Sequence, residues 1–105
     1  QAAALLQKAG APQAILVDCS HANSAKRFER QPEVAHDVAQ QIAGGQRAII
    51  GVMIESHLVA GAQSVVPGQP LVYGQSITDG CLAFEQVVPV LEELAAAVRV
   101  RRGAP

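Results

Sequence analysis

Hydrophobic and polar positions follow two different rhythms along this chain. Residues 1–9 set Leu5 and Leu6 among good helix formers, and Gly10 followed by Pro12 supplies a stop, which predicts a helix. Residues 14–21 open on a continuous apolar run and turn polar abruptly at Asp18, Ser20 and His21, with Asn23 and Ser24 beyond. Such a run predicts a strand buried on both faces. A second helix is expected from near Pro32, with Gln31 as an indifferent cap. Val34, Val38 and Ile42, with Ala35, Ala39 and Ala43 beside them, make one apolar stripe that ends at Gly44 and Gly45. Residues 48–54 form a second continuous apolar run, and it too ends in a polar cluster, Glu55, Ser56 and His57.

From Val59 to Thr78 no periodicity is sustained, and Gly61, Pro67, Gly68, Pro70 and Gly74 punctuate the stretch. A loop of this length inside a domain is usually functional, and residues 59–76 are expected to be mobile and to close over a site. The last helix is predicted over 85–102, with Val87, Val88, Leu91, Leu94, Ala95 and Val98 inward and Pro89 in the first turn. The order is helix, strand, helix, strand, long loop, helix. Two apolar strands joined by a helical crossover form a parallel βαβ unit, and two strands alone do not make an independently stable sheet. A segment of a larger α/β barrel or sheet is therefore expected.

Composition narrows the function. The 105 residues are 50% hydrophobic with net charge −1, which excludes a disordered segment. Eight Lys and Arg against nine Asp and Glu leave no basic surplus for nucleic acid. Arg99, Arg101 and Arg102 cluster where a helix C-terminus favours cations. No apolar run reaches the roughly 18–20 residues of a membrane span. Two cysteines are too few for a disulfide framework, so a reducing cytoplasm is the expected setting. With aromatics at 3% and no Trp, the core must be built from Val, Ile, Leu and Ala.

Ligands of barrels and open α/β sheets bind at the carboxyl ends of parallel strands. His21 follows the first strand and Glu55 the second, and Asp79 closes the long loop where it can fold back over the same rim. An imidazole and two carboxylates suit Mn²⁺, Fe²⁺, Co²⁺ or Zn²⁺. The separations form no local motif, so a hydrogen-bonded structural His21 stands beside the ligand reading. His57 is a general acid or base, or a solvated rim residue. His36 lies on the polar side of its helix. Cys19 shares a face with His21, as a ligand or a small core residue. Cys81 is a low-pKa thiolate or inert packing, and Asp18 orients a ligand or is exposed at the rim.

Four stretches, Asp18-Cys-Ser-His-Ala-Asn-Ser24, Gln40-Gln-Ile-Ala-Gly-Gly45, Ile49-Ile-Gly-Val-Met-Ile-Glu-Ser-His-Leu58 and Tyr73-Gly-Gln-Ser-Ile-Thr-Asp79, resemble the C-terminal part of type I 3-deoxy-D-arabino-heptulosonate 7-phosphate (DAHP) synthases, in order and over essentially the whole chain. The resemblance implies that residues 1–105 are a C-terminal fragment of a single (β/α)₈ TIM-barrel catalytic domain, about its last two βα units. It implies an enzyme that condenses phosphoenolpyruvate with erythrose 4-phosphate, opening the shikimate pathway to aromatic amino acids, and that is a homo-oligomer when complete. It implies a divalent metal held by His21, Glu55 and Asp79 as catalytic ligands. The family's ligand Cys and its phosphate-gripping Arg and Lys residues belong to earlier strands, so neither Cys19 nor Cys81 inherits that role. Two other classes remain open: another metal-dependent phosphosugar or pyruvate aldolase barrel, and a small non-enzymatic α/β binding module.

Overall fold

The computed structural model describes residues 2–103. Helix α1 spans Ala2–Lys8, and strand β1 spans Ile15–Asp18. Two short 3-10 turns, His21–Ser24 and Phe28–Arg30, lead into α2, Gln31–Ala43. Strand β2 is Ile49–Met53; the two-residue strands β3, Ser56–His57, and β4, Leu82–Ala83, flank the long loop, and α3 is Phe84–Gly103. Strands β1 and β2 pair in parallel across the α2 crossover, as the apolar runs predicted, with Asp18 opposite Met53. Strands β3 and β4 form a second parallel pair that the sequence did not announce.

The core lies between the first pair of strands and the two long helices. Cys19, Ala35, Val38, Ala39, Ile42, Ile49, Val90, Leu94 and Ala97 are buried together, with Val17, Val52 and Ile54 packed against them. The stripe expected on α2 is the one used. The strands, however, are covered on one face only. Leu16 and Ile50 remain 62% and 67% exposed, because both long helices lie on the opposite side of the pair. Strand β1 ends at Asp18, where the apolar run gives way to the polar cluster.

The inward face of α3 matches expectation at Leu94 and Val98 and departs from it at Val88, Leu91 and Ala95, which are exposed. Val90, Leu94 and Ala97 face the core, whereas Val88 and Leu91 are exposed. Apolar residues occur all round this helix, so spacing alone could not choose the face; packing on α2 did. Pro89 sits in the second turn, because the helix begins at Phe84. Its missing N–H leaves the Glu85 carbonyl without a helical partner, at a position where both residues are exposed. The helix start is reinforced where the Ala83 N–H donates to Gln86 Oε1 at 2.7 Å, the back-reaching half of a capping box. At its other end, Arg101 donates to the carbonyls of Gln46 (2.8 Å) and Ile49 (2.9 Å), tying α3 to the entry of β2. His36, expected to be merely solvated, hydrogen-bonds Glu93 and joins α2 to α3.

The long loop carries no periodic apolar pattern, yet its backbone is laced. The Gln63 amide donates to the carbonyls of Val72 (2.8 Å) and Gln75 (3.0 Å) and accepts the Val72 N–H (2.8 Å). Gln75 donates to the Ala60 carbonyl at 2.9 Å. Among the described residues no helix is long and apolar enough to cross a membrane.

The rotation of α3 is testable in the longer protein of which this chain is expected to be a segment. Leu94→Ala should cost about 2–4 kcal/mol as a buried truncation, and Leu91→Ala under about 1 kcal/mol, read from urea unfolding midpoints; equal costs would mean that the helix sits in the other rotation.

Candidate metal centre at the carboxyl ends of the strands

Beyond Asp18 the chain makes a tight reversal. His21, Ala25 and Lys26 all adopt left-handed backbone conformations, with φ of 51°, 56° and 61°. Each costs a non-glycine residue roughly 1–2 kcal/mol, so the turn must be held by other contacts. Asn23 Nδ2 donates to the Asp18 carbonyl at 2.6 Å, and the His21 carbonyl accepts from the Lys26 N–H at 2.6 Å and from Ser24 Oγ at 3.3 Å. The result turns the His21 ring toward the end of β2.

Asp18 orients that ring. Its Oδ2 lies 3.0 Å from His21 Nδ1, and its Oδ1 accepts the Ser20 N–H at 2.8 Å. A carboxylate only accepts, so in the neutral imidazole Nδ1 carries the proton and Nε2 presents its lone pair. Nε2 faces Glu55 Oε1 at 3.7 Å and Asp79 Oδ2 at 3.4 Å. One donor atom from each of His21, Glu55 and Asp79 lies within 4.8 Å of the others. The three residues singled out in the sequence are thus brought together from three separate segments.

Glu55 is fixed through its backbone. Gln31, fully buried as the first residue of α2, accepts the Glu55 N–H on Oε1 at 2.8 Å and donates from Nε2 to the Glu55 carbonyl at 3.1 Å. The Leu82 N–H donates to the same carbonyl at 3.0 Å. The Glu55 carboxylate also accepts a hydrogen bond from Ser20 Oγ. Asp79 is placed by the chain just after it, where Cys81 exchanges backbone hydrogen bonds with Gly61 at 2.8 and 3.1 Å. The Cys81 thiol donates to the Asp79 carbonyl at 3.5 Å.

Electrostatics at this end favour a cation. The Asp18 hydrogen bond, followed by the negative charge of Glu55, raises the His21 pKa above its ordinary value. The His21 hydrogen bond, followed by that from the Ser20 N–H, lowers Asp18. The proton that such a field draws to Nε2 occupies the place that a divalent cation would take. One imidazole nitrogen, two carboxylates and a hydrogen-bonded partner for the imidazole are a chemically suitable donor set.

The donors open into a cleft of about 320 Å³, lined also by Ser20, Lys26, Phe28 and Gly80. The Phe28 ring lies so close over Gly80 that a Cβ there would meet Cδ1 at 2.5 Å, which is why glycine follows Asp79. Ser20, Lys26, Phe28, Gly80 and Gln31 were not singled out in the sequence. Their only signal was proximity to the polar strand ends, and for Gln31, an amide at a helix start. Other candidates lie elsewhere. His57 is exposed, accepts the Leu58 N–H on Nδ1 at 2.8 Å and does not line the cleft. Cys19 is fully buried in the core, and burial pushes its thiol pKa up. Burial likewise raises Cys81, the reverse of an activated thiolate. No residue of 58–78 lines this cleft.

Parallel strands joined by a helix, with a convergent polar site beyond their carboxyl ends, define an α/β protein of the kind that binds ligands at that edge. The chain belongs to the DAHP synthetase I family, whose model matches residues 1–92. It is 57% identical over 98 residues to the Phe-sensitive phospho-2-dehydro-3-deoxyheptonate aldolase of Escherichia coli (strain K12), covering 93% of this chain and 28% of that protein. It is 48% identical over 108 residues to the phospho-2-dehydro-3-deoxyheptonate aldolase of Corynebacterium glutamicum, covering 96% and 30%. The solved structure of the phospho-2-dehydro-3-deoxyheptonate aldolase from Francisella tularensis SCHU S4 matches with a TM-score of 0.89 and 50% identity, over 95% of this chain and 29% of that one. The chain thus spans between a quarter and a third of the length of these relatives.

Two outcomes follow from the geometry. In metal-free protein, NMR titration should find His21 titrating above its ordinary value, and Asp18→Asn should move it downward; an unchanged titration would remove Asp18 as its partner. Gln31→Leu should leave the Glu55 carboxylate chemically intact yet weaken Mn²⁺ binding by about 10–100-fold, the usual weight of a partner that orients a ligand, as read by calorimetry.

Proposed function

We propose that this chain is the C-terminal part of a (β/α)₈ barrel, about its last two βα units, and that the complete enzyme condenses phosphoenolpyruvate with D-erythrose 4-phosphate. One water is consumed, its oxygen ending on C2 of the product as the C–O bond to phosphate is lost; the products are DAHP and phosphate, and the step is the first of the shikimate pathway to aromatic amino acids. Its setting is a reducing cytoplasm, in keeping with two free thiols. The observation that carries this reading is the convergence of His21, Glu55 and Asp79 from three segments, in a family whose members bear the aldolase name. The uncovered sheet face at Leu16 and Ile50 supports a remainder of the barrel packed against it.

His21 Nε2 and the carboxylates of Glu55 and Asp79 would hold a divalent cation, with Mn, Fe, Co and Zn all compatible with the donors. When bound, the cation supplies Lewis acidity toward the aldehyde oxygen of erythrose 4-phosphate, which favours attack by C3 of phosphoenolpyruvate. The protein's own part is positional. Asp18 keeps the proton of His21 on Nδ1, and Ser20 and Gln31 hold Glu55 from side chain and backbone. Phe28 lays an apolar wall along the cleft and limits water there.

The test uses the complete enzyme. His21→Ala, Glu55→Ala and Asp79→Ala should each lose bound metal and lower condensation activity by more than about 100-fold, beyond what an orienting partner carries. Metal content and phosphate release report both. Full turnover in the thoroughly chelated wild type would overturn the reading, and residues 1–105 alone should show none.

A further inference from the structure

We propose that Lys26 is a substrate-binding residue, its ammonium holding an oxyanion of the substrate beside the metal centre. This rests on the function proposed above. Lys26 is the one lysine or arginine among the described residues that line the cleft. Its neighbours are neutralised: Arg27 pairs with Glu29 at 2.9 Å and Arg30 with Glu33 at 3.1 Å. Lys26 makes no ion pair among the described residues, although Glu55 and Asp79 line the same cleft.

The backbone adds a second, independent observation. Lys26 and Ala25 are consecutive non-glycine residues with φ of 61° and 56°. That conformation favours Gly, Asn or Asp, whose presence would relieve the strain. A lysine therefore stands here against local preference, and side chains that break a local rule without a packing gain cluster at functional sites. Lys26 is exposed, so no burial compensates for its conformation. What it contributes is a cationic side chain on the lining of the cleft that holds His21, Glu55 and Asp79, where its charge attracts a phosphoryl or carboxylate oxygen. Both substrates of the proposed reaction carry such groups.

The experiment uses the complete enzyme, with wild type, Lys26→Asn and Lys26→Arg compared. Mn²⁺ affinity is read by electron paramagnetic resonance, and binding of phosphoenolpyruvate and of erythrose 4-phosphate to the Mn²⁺ form by calorimetry. Thermal midpoints are followed in parallel. Lys26→Asn should leave Mn²⁺ affinity within about twofold and the thermal midpoint unchanged or raised. It should weaken at least one substrate by roughly tenfold or more, the usual weight of a charged hydrogen bond, and Lys26→Arg should retain most of that affinity. A loss confined to phosphoenolpyruvate assigns the donor's oxyanion, and one confined to erythrose 4-phosphate assigns the acceptor's phosphate. Wild-type affinity of Lys26→Asn for both substrates would overturn the proposal. Failure of the wild type to bind Mn²⁺ would instead overturn the metal centre, with the role of Lys26 still read from substrate binding to the metal-free protein.

Discussion

The parallel pairing of β1 with β2 is the constraint on which the rest depends. A parallel pair joined by a helix carries both chains out at the same edge, so whatever follows the first strand must meet whatever follows the second. Here the register sets Asp18 opposite Met53, and the Cys19 N–H extends the ladder to the Met53 carbonyl at 2.9 Å. Ser20 and His21 on one side and Glu55 on the other therefore emerge as neighbours. Had the connection been a hairpin, the two polar clusters would lie at opposite ends of the sheet. The helix α2 that makes the crossover also supplies the stripe of Ala35, Val38, Ala39 and Ile42 that covers the strands.

Three carboxylates gathered round one imidazole repel one another, and the surrounding contacts show how the chain holds them. Backbone groups and neutral side chains do most of that work. The buried Gln31 amide satisfies both backbone groups of Glu55, Ser20 donates to the Glu55 carboxylate, and the pairing of Cys81 with Gly61 places Asp79. No buried side-chain nitrogen or oxygen among the described residues is left without a partner. The strained turn at His21, Ala25 and Lys26 belongs to the same design. Left-handed conformations there set His21 and Lys26 on the lining of one cleft, at a local cost that the hydrogen bonds from Asn23, Ser24 and Lys26 offset.

Legibility in the sequence followed the range of the interaction. The α2 stripe and the two apolar strands were readable because a periodic pattern reports a single nearby surface. His21 and Glu55 were readable because each sits just past an abrupt apolar-to-polar change, and Asp79 because it closes the long loop before the last helix. The α3 face is legible only in part: Leu94 and Val98 face inward as expected, but Leu91 is as apolar as Leu94 and only contact with α2 distinguishes them. Pro89 falls in the second turn because the helix begins at Phe84, one residue before the expected start, fixed there by the Gln86 side chain and the β4 pairing, neither of which has a local pattern. Gln31 and His36 looked like ordinary polar helix residues; their partners, Glu55 and Glu93, are 24 and 57 positions away.

By itself, then, the sequence determined the element order, the α/β class, the core face of α2 and the identity of His21, Glu55 and Asp79 as the residues to watch. Each of these follows from short-range periodicity, from a change of polarity at a strand end or, for Asp79, from its place where the aperiodic loop gives way to the last helix, properties that a residue carries in its own neighbourhood. Only the tertiary structure decided that the three donors converge, that Asp18 leaves Nε2 of His21 facing them, and that Gln31 and Ser20 hold Glu55 in place. It also decided that Lys26 and Phe28 share their cleft. Those outcomes depend on where distant segments meet, and that is set by strand register, helix rotation and backbone strain acting together.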